Sequence, residues 1–245
     1  MTPAFRHGAS PVESLARLVG NTPLVRLRHV GSDISGVRVY VKCEFMNPGG
    51  SVKDRAALRM IETALADGRF GSERTLVDST SGNTGVAYAW ICAALGLRCA
   101  LVMPANVSPA RKQIARAFGA ELVFSSPLDG SDGAIRKVRE LVAADPDRWF
   151  YPDQYGNPEN PRAHEHGTAV EIVEALDGQV AAFAVAAERG CPAHVVLSLA
   201  KMAFARESLT ICPEAGTLPP FNASTPQGDD RRSALRVPLA PGTDS

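Results

Sequence analysis

The 245-residue sequence has little of what would assign it to a class at once. It carries no charge excess: 26 Lys+Arg balance 26 Asp+Glu, so the basic surplus of a nucleic-acid binder is missing. Aromatic residues make up only 6%, yet hydrophobic residues reach 45%, too apolar for a disordered chain. The longest apolar stretches, such as Val86 to Leu97, fall well short of the roughly 20 residues a membrane helix needs. Pro3, Arg6 and His7 do not begin a secretory signal. The five cysteines (Cys43, Cys92, Cys99, Cys191, Cys212) are odd in number and form no Cys-x-x-Cys pair, which speaks against a disulfide frame or a zinc site. Cys92 and Cys99 sit in apolar runs and read as buried thiols. What remains is a globular protein for small molecules, expected in the cytoplasm, with no nucleic-acid, membrane or metal partner. At about 150 residues per domain its length allows one or two domains.

From Val37 to Val185, strand-like and helix-like stretches alternate with short turn-rich links, the rhythm of a parallel sheet covered by helices. Val37 to Phe45 reads as a strand. The turn Asn47-Pro48-Gly49-Gly50 follows, then Val52, Ala56, Met60, Ile61 and Leu65 at helical spacing, stopped at Gly68. Thr75 to Asp78 predicts a second strand, and the loop Ser79 to Gly85 leads into an apolar helix ending near Gly96. Arg98 to Met103, bounded by Pro104, is a buried strand. Ser108 reads as an N-cap with Pro109 at the first helical position, and Gly119 ends that helix. Glu121 to Phe124, a helix over Asp132 to Ala144 and a short strand Trp149-Phe150-Tyr151 continue the pattern. A helix then runs from Pro161 to about Leu176, and Val180 to Val185 is a buried strand. From Pro213 to Ser245, six prolines and three glycines in 33 residues leave few large apolar side chains, so this stretch reads as a disordered tail.

Two segments carry chemistry. In Asn47 to Arg55, Ser51 and Asp54 have the spacing of a capping box, which places Lys53 in the first turn of its helix. The helix dipole is positive there and disfavours an ammonium by up to about 1 kcal/mol. Such a place suits a lysine that must act as a neutral amine, as Schiff-base chemistry requires, although a solvated lysine is the ordinary reading of this segment alone. The second segment, Ser79-Thr80-Ser81-Gly82-Asn83-Thr84-Gly85, joins a strand to a helix and offers four hydroxyls, an amide and backbone N–H groups to an anion. It lacks the lysine of a nucleotide P-loop and the G-x-G-x-x-G of a dinucleotide fold, so a small carboxylate is the better ligand. A polar turn with capping serines is the plainer alternative. His164-Glu165-His166 could suggest a metal, but histidines two apart point to opposite sides of a helix, so solvated or capping histidines are expected.

Together the segments Gly20-Asn21-Thr22-Pro23-Leu24-Val25-Arg26-Leu27, Asn47 to Arg55, Ser79 to Gly85, Met103-Pro104, and Asp153-Gln154-Tyr155 with Asn157-Pro158 resemble the cysteine synthase and cystathionine β-synthase family of pyridoxal-phosphate enzymes, fold type II. They occur in the family's order and cover about residues 15 to 175. The resemblance implies an α/β fold of two twisted-sheet domains, of the tryptophan synthase β-like kind, with the second domain incomplete. Residues 1–46 would contribute to that second domain, 47–157 would form the α/β domain with the lysine and the carboxylate loop, 158–212 the incomplete second domain, and 213–245 the Pro-rich tail. Lys53 would carry pyridoxal 5'-phosphate and move the substrate's Cα proton. Asn83 would hydrogen-bond the cofactor's ring hydroxyl oxygen, and Thr80, Ser81, Thr84 and Gln154 would bind the substrate α-carboxylate. The implied reaction is β-replacement on O-acetylserine or O-phosphoserine by sulfide or another nucleophile, commonly in a homodimer. A serine or threonine dehydratase remains a further possibility.

The pattern departs in two places. Gly167-Thr168-Ala169-Val170-Glu171-Ile172 stands where the family usually has Thr-Thr-Gly before an acidic residue and Ile, which points to a variant subfamily such as the diaminopropionate-forming synthases. Ala186 to His194 stands where the family has a Gly-Thr-Gly-Gly-Thr-like loop for the cofactor phosphate. Agreement that stops abruptly at a strand end leads us to expect a C-terminally truncated or frameshifted member. A catalytically impaired remnant or non-catalytic binding partner is the competing expectation.

Overall fold

The computed structural model describes residues 14–29, 36–180 and 182–183, with backbone pairing at Thr210–Ile211 and Leu235–Arg236. The chain divides into two compact units, Met1–Pro23 with Cys43–Asp153, and Leu24–Lys42 with Gln154–Ser245.

The first unit is built on a parallel sheet of β3 (Thr75–Ser79), β4 (Arg98–Pro104), β5 (Glu121–Ser125) and β6 (Trp149–Phe150), in the order β5-β4-β3-β6. Strand β3 is buried at all five positions and β4 from Cys99 to Met103, because helices cover both faces. Alternation along the strands sorts the side chains. Val77, Ala100, Val102 and Trp149 pack with Ala134 and Val138 of α4 (Gly130–Ala144) on one face. On the other lies α2 (Asn83–Leu95), apolar on nearly every side, with α1 (Lys53–Ala66) packed against it in turn. Each fully buried large side chain here, such as Ile61, Leu76, Ile91 or Leu101, contributes about 1.5–3 kcal/mol. Phe70 stacks on Phe150 with ring centroids 4.7 Å apart and ties the end of α1 to β6.

Helix α1 stops before Gly68 (φ +75°) and α2 at Gly96 (φ +68°), as the glycine spacing predicts. Helix α3 (Pro109–Ala117) starts on its proline, but the Ser108 hydroxyl makes no capping bond; Lys112 N–H donates to the Ser108 carbonyl instead. Helix α4 begins two residues ahead of the expected Asp132. The strand expected over Val37 to Phe45 is shorter: β2 covers Val39–Lys42, and Glu44–Met46 turns as a 3₁₀ helix.

In the second unit β2 pairs antiparallel with β1 (Leu24–Leu27), in register from Leu24 opposite Lys42 to Leu27 opposite Val39. The helix expected from Pro161 begins earlier. Asn157 Oδ1 accepts the Glu159 N–H at 2.9 Å, so α5 (Glu159–Ala163) starts there and Pro161 falls in its first turn, where its missing donor costs nothing. A π turn over His164–Thr168 joins α5 to α6 (Ala169–Ala175). Ala169 and Ile172 pack with Val173, Leu176, Val180 and Phe183. Val180 and residues 182–183 are not in a strand, contrary to the apolar run's reading, and the rest of Val180 to Val185 lies outside the described residues. So does the Pro-rich segment, apart from β8 (Leu235–Arg236), which pairs antiparallel with β7 (Thr210–Ile211).

Candidate active site

Lys53 is the first residue of α1 and is half-buried. The turn before it closes with Gly50 N–H donating to Asn47 O at 2.8 Å, and Gly50 takes φ +78°, a backbone that disfavours a side chain. The Lys53 N–H donates to Ser51 Oγ at 3.2 Å. The other half of the expected capping box is different. Asp54 reaches past Ser51 to accept from Gly49 N–H at 2.5 Å, and from the Trp90 indole N–H at 3.1 Å. Asp54 is fully buried, and burial raises its carboxyl above the usual value while the Trp90 and Gly49 bonds pull it down. A Cβ on Gly49 would collide with Asp54 Oδ1 and lie 2.5 Å from Trp90 Nε1, so only glycine fits.

Behind this turn, Glu44 gathers three pieces of the motifs. Arg55 donates to both its carboxylate oxygens, Thr22 Oγ1 donates to Oε1 at 2.6 Å, and Asn47 Nδ2 donates to Oε2 at 3.0 Å. Asn47 Oδ1 in turn accepts the Gly20 N–H at 2.9 Å. Burial alone would raise the Glu44 carboxyl, but the bonds from Arg55, Thr22 and Asn47 outweigh it and hold it below the ordinary value. Glu44 was not singled out in the sequence. The available signal was the polar set Asn21-Thr22, Asn47 and Arg55 flanking a glutamate in an otherwise apolar stretch.

The Thr80 loop leaves the carboxyl end of β3, at the place where the sheet order reverses between β4 on one side and β6 on the other. Ligands of open α/β sheets bind at such switch points. Thr80 N–H donates to Val102 O at 3.1 Å, and Thr80 Oγ1 accepts from Gly85 N–H at 3.1 Å and Gly82 N–H at 3.4 Å. The hydroxyl oxygen thus fastens the loop and leaves its own proton available. The N–H groups of Ser81, Asn83 and Thr84 have no acceptor among the described residues, and the first turn of α2 holds no acidic side chain. Unpaired N–H groups at a helix head with no acidic neighbour can receive an anion. Gly85 permits it: a Cβ there would meet Thr80 Cγ2 at 3.1 Å and Thr80 O at 3.3 Å. Thr84 is buried, Thr80 and Ser81 half-buried, and Asn83 exposed. Arg111 of α3 borders the same depression beside Thr80, Ser81 and Gly82, a cation the sequence reading did not single out.

The structure therefore brings Lys53, Thr80, Ser81, Asn83 and Thr84 into one unit. Gln154 opens the second unit, buried, with its carbonyl accepting from Asn160 Nδ2 at 2.7 Å. His166 is exposed as expected, but His164 is fully buried with Nδ1 3.1 Å from Thr168 Oγ1, which corrects the solvated reading of that histidine. Among the described residues no cluster of three or more His, Cys, Asp or Glu could hold a metal. Cys43, Cys92 and Cys99 are buried and form no disulfide, and a bond with Cys92 together with burial pushes the Cys99 thiol up, away from reactivity. An amine at one helix head and unpaired donors at the next are the chemistry that an aldehyde cofactor and an amino-acid substrate call for, so the residues present fit pyridoxal phosphate.

The comparisons agree. The family model described as pyridoxal-phosphate dependent enzyme matches residues 15–244. A cysteine synthase from Aquifex aeolicus is 49% identical over 173 residues, covering 70% of this chain and 53% of that one. A cysteine synthase from Staphylococcus aureus is 38% identical over 235 residues, covering 95% and 74%. The crystal structure of a cysteine synthase from Entamoeba histolytica superposes with a TM-score of 0.72 at 35% identity, over 82% of this chain and 58% of that one. The chain spans about half the length of the Aquifex relative and about three quarters of the Staphylococcus one. With nearly its whole length matched and an α/β unit that carries the lysine and the loop at the heads of two successive helices, the chain belongs to the pyridoxal-phosphate-dependent enzymes of fold type II, among relatives named cysteine synthase.

Proposed function

We propose that the protein is a pyridoxal-phosphate-dependent β-replacement synthase of the cysteine synthase kind, taking O-acetylserine or O-phosphoserine and adding sulfide or another small nucleophile at Cβ. The observation that carries this reading is the presence, in one compact unit, of an amine at the head of α1 and an anion cradle at the head of α2. When bound, pyridoxal phosphate supplies an aldehyde for amines and a ring that takes up the electron pair left at Cα. Lys53 holds the cofactor, then removes and returns the proton at Cα. Asn83 donates its amide to the ring hydroxyl oxygen. Thr80, Ser81 and Thr84 bind the α-carboxylate and so aim the Cα–H bond. Cytoplasmic location and pairing of two copies go with this reading.

The test is direct. Purified protein mixed with the cofactor should gain a visible absorption band that Lys53→Ala abolishes, and should then release acetate from O-acetylserine in a sulfide-dependent manner. Ala186 to His194, standing where a Gly-Thr-Gly-Gly-Thr-like loop is expected, favours a second reading in which the chain keeps the amine and the carboxylate loop but holds cofactor weakly. A cofactor titration separates the two: stoichiometric saturation supports the first, and failure to saturate supports the second.

A further inference from the structure

Asp54 is an unusual neighbour for a reactive lysine. It is fully buried, and it accepts from two neutral donors, the Gly49 N–H and the Trp90 indole N–H. Burying a carboxylate is costly even when it is hydrogen-bonded, and an apolar replacement of such a group is often neutral or stabilising. Stability is therefore a poor account of it. Trp90 is likewise 3% exposed, and a phenyl ring would fill much of the same space without bringing a donor into the interior.

Position gives a better account. Asp54 follows Lys53 directly, so fixing its carboxylate fixes the first turn of α1. One anchor is the turn before the helix, through Gly49, where there is no room for even a Cβ. The other is Trp90, seven residues into α2, about 10 Å along the axis from the head that carries the carboxylate cradle. The Trp90–Asp54 hydrogen bond between α1 and α2 thus sets the helix head bearing the amine against the helix that presents the substrate's anchor. Tyr88 strengthens the same contact, with its hydroxyl 3.9 Å from Met60 Sδ of α1.

We propose that the Trp90–Asp54 hydrogen bond is a positioning device for Lys53, with Trp90 and Asp54 as positioning residues that touch neither cofactor nor substrate. This rests on the assignment of Lys53 as the cofactor-bearing amine. Misplacement of a reacting group by about 1 Å is enough to slow a reaction a hundredfold, so the loss of one anchor should be visible in the chemistry of Lys53 itself.

The experiment uses the full chain and its five lysines, Lys42, Lys53, Lys112, Lys137 and Lys201, as internal controls. Wild type, Trp90→Phe, Asp54→Asn and Lys53→Ala are incubated with pyridoxal phosphate, treated with borohydride and peptide-mapped. The lysine nitrogen bonds to the aldehyde carbon with loss of water, and hydride from borohydride reduces the C=N to a secondary amine. Wild type should be labelled predominantly at Lys53. Trp90→Phe, which keeps an aromatic ring but loses the N–H, should lower the Lys53 share about tenfold or more, with the other lysines unchanged and cooperative thermal unfolding retained. If Trp90→Phe does not fold, Asp54→Asn decides by the same criterion, since one amide oxygen cannot replace a charged acceptor serving two donors. A merely structural role would lower the melting temperature and leave the Lys53 selectivity of the folded fraction intact, and that result overturns the proposal while leaving Lys53 in its assigned role. Indiscriminate labelling of the wild type would instead overturn the Lys53 assignment, and this proposal with it.

Discussion

Arg55 forks onto Glu44, with Nε 2.7 Å from Oε2 and Nη2 2.8 Å from Oε1, two residues beyond Lys53. The same Nη2 donates to Thr22 Oγ1 at 3.1 Å, so one guanidinium holds together the segment around Thr22, the turn at Glu44 and the first turn of α1. The side chains of Arg55 and Glu44 are 5% and 17% exposed, so the pair is largely screened from water. Removing one partner of a buried pair costs more than the pair itself contributes, because a desolvated charge is left behind.

Arg55→Met, which keeps the stem and removes the charge, should destabilise the protein by about 3–5 kcal/mol. Thr22→Val should cost about 1.5–3 kcal/mol, because its hydroxyl donates to the Glu44 carboxylate and accepts from the Arg55 guanidinium, both charged. Urea denaturation at neutral pH checks both. Equal losses in the two variants would mean that the charge is better solvated than its burial indicates.

Acid should act through the same carboxylate. Glu44 is held below its ordinary value of 4.5, so its contribution is complete above that pH and is lost as the pH falls through the lowered folded value. Asp54 works in the opposite sense. Its folded value is raised above 3.8, so it subtracts from stability at neutral pH, and the penalty lifts as the pH falls through the raised value. In Glu44→Gln the stability curve on the acid side should therefore be flatter than in the wild type. An unchanged slope there would remove Glu44 from the acid response.

Gly49→Ala should be among the most damaging small substitutions in the first unit. The added carbon meets the Asp54 carboxylate and the Trp90 ring, both fully packed, and overpacking of this kind costs about 1–3 kcal/mol. Gly50→Ala, with open space around its Cβ but φ +78°, should suffer only from backbone strain. Thermal unfolding of the two variants side by side separates steric from conformational cost, and the larger loss belongs at Gly49.

The proposed carboxylate site would depend on Thr80 twice, through its oxygen, which accepts from Gly85 N–H, and through its hydroxyl proton. Thr80→Ser keeps both and should leave KM for the amino-acid substrate within about threefold, while Thr80→Val removes both and should raise KM by about tenfold or more, the worth of one or two hydrogen bonds to a charged group. A matching rise in Thr80→Ser would point to the methyl group rather than the hydroxyl.

The alternation of strand and helix was legible because burial on both faces forces continuous apolar runs such as Leu101-Val102-Met103, and glycines at positive φ mark helix ends at Gly68 and Gly96. The placement of Lys53 and of the Thr80 loop at helix heads was legible because it is local: a handful of neighbouring residues define each head. Asp54 and Glu44 were not, since their partners Trp90, Thr22 and Arg55 stand 36, 22 and 11 residues away, and only tertiary packing decides which buried donor a carboxylate meets. The start of α5 was misread for a local reason, the competition between Pro161 and the Asn157 side chain as the opening of the helix.

In the second unit the Lys42 ammonium lies 2.5 Å from Glu171 Oε2, joining β2 to α6 with side chains only 10% and 17% exposed. Lys42→Met removes a charged donor from a carboxylate that solvent reaches poorly, and should cost about 1.5–3 kcal/mol. The double variant Lys42→Met/Glu171→Leu removes both charges together and should recover most of that loss. A double-mutant cycle read by urea denaturation measures the coupling. Simple additivity of the two single losses would show that β2 and α6 are held by their apolar contacts, with the ion pair contributing little.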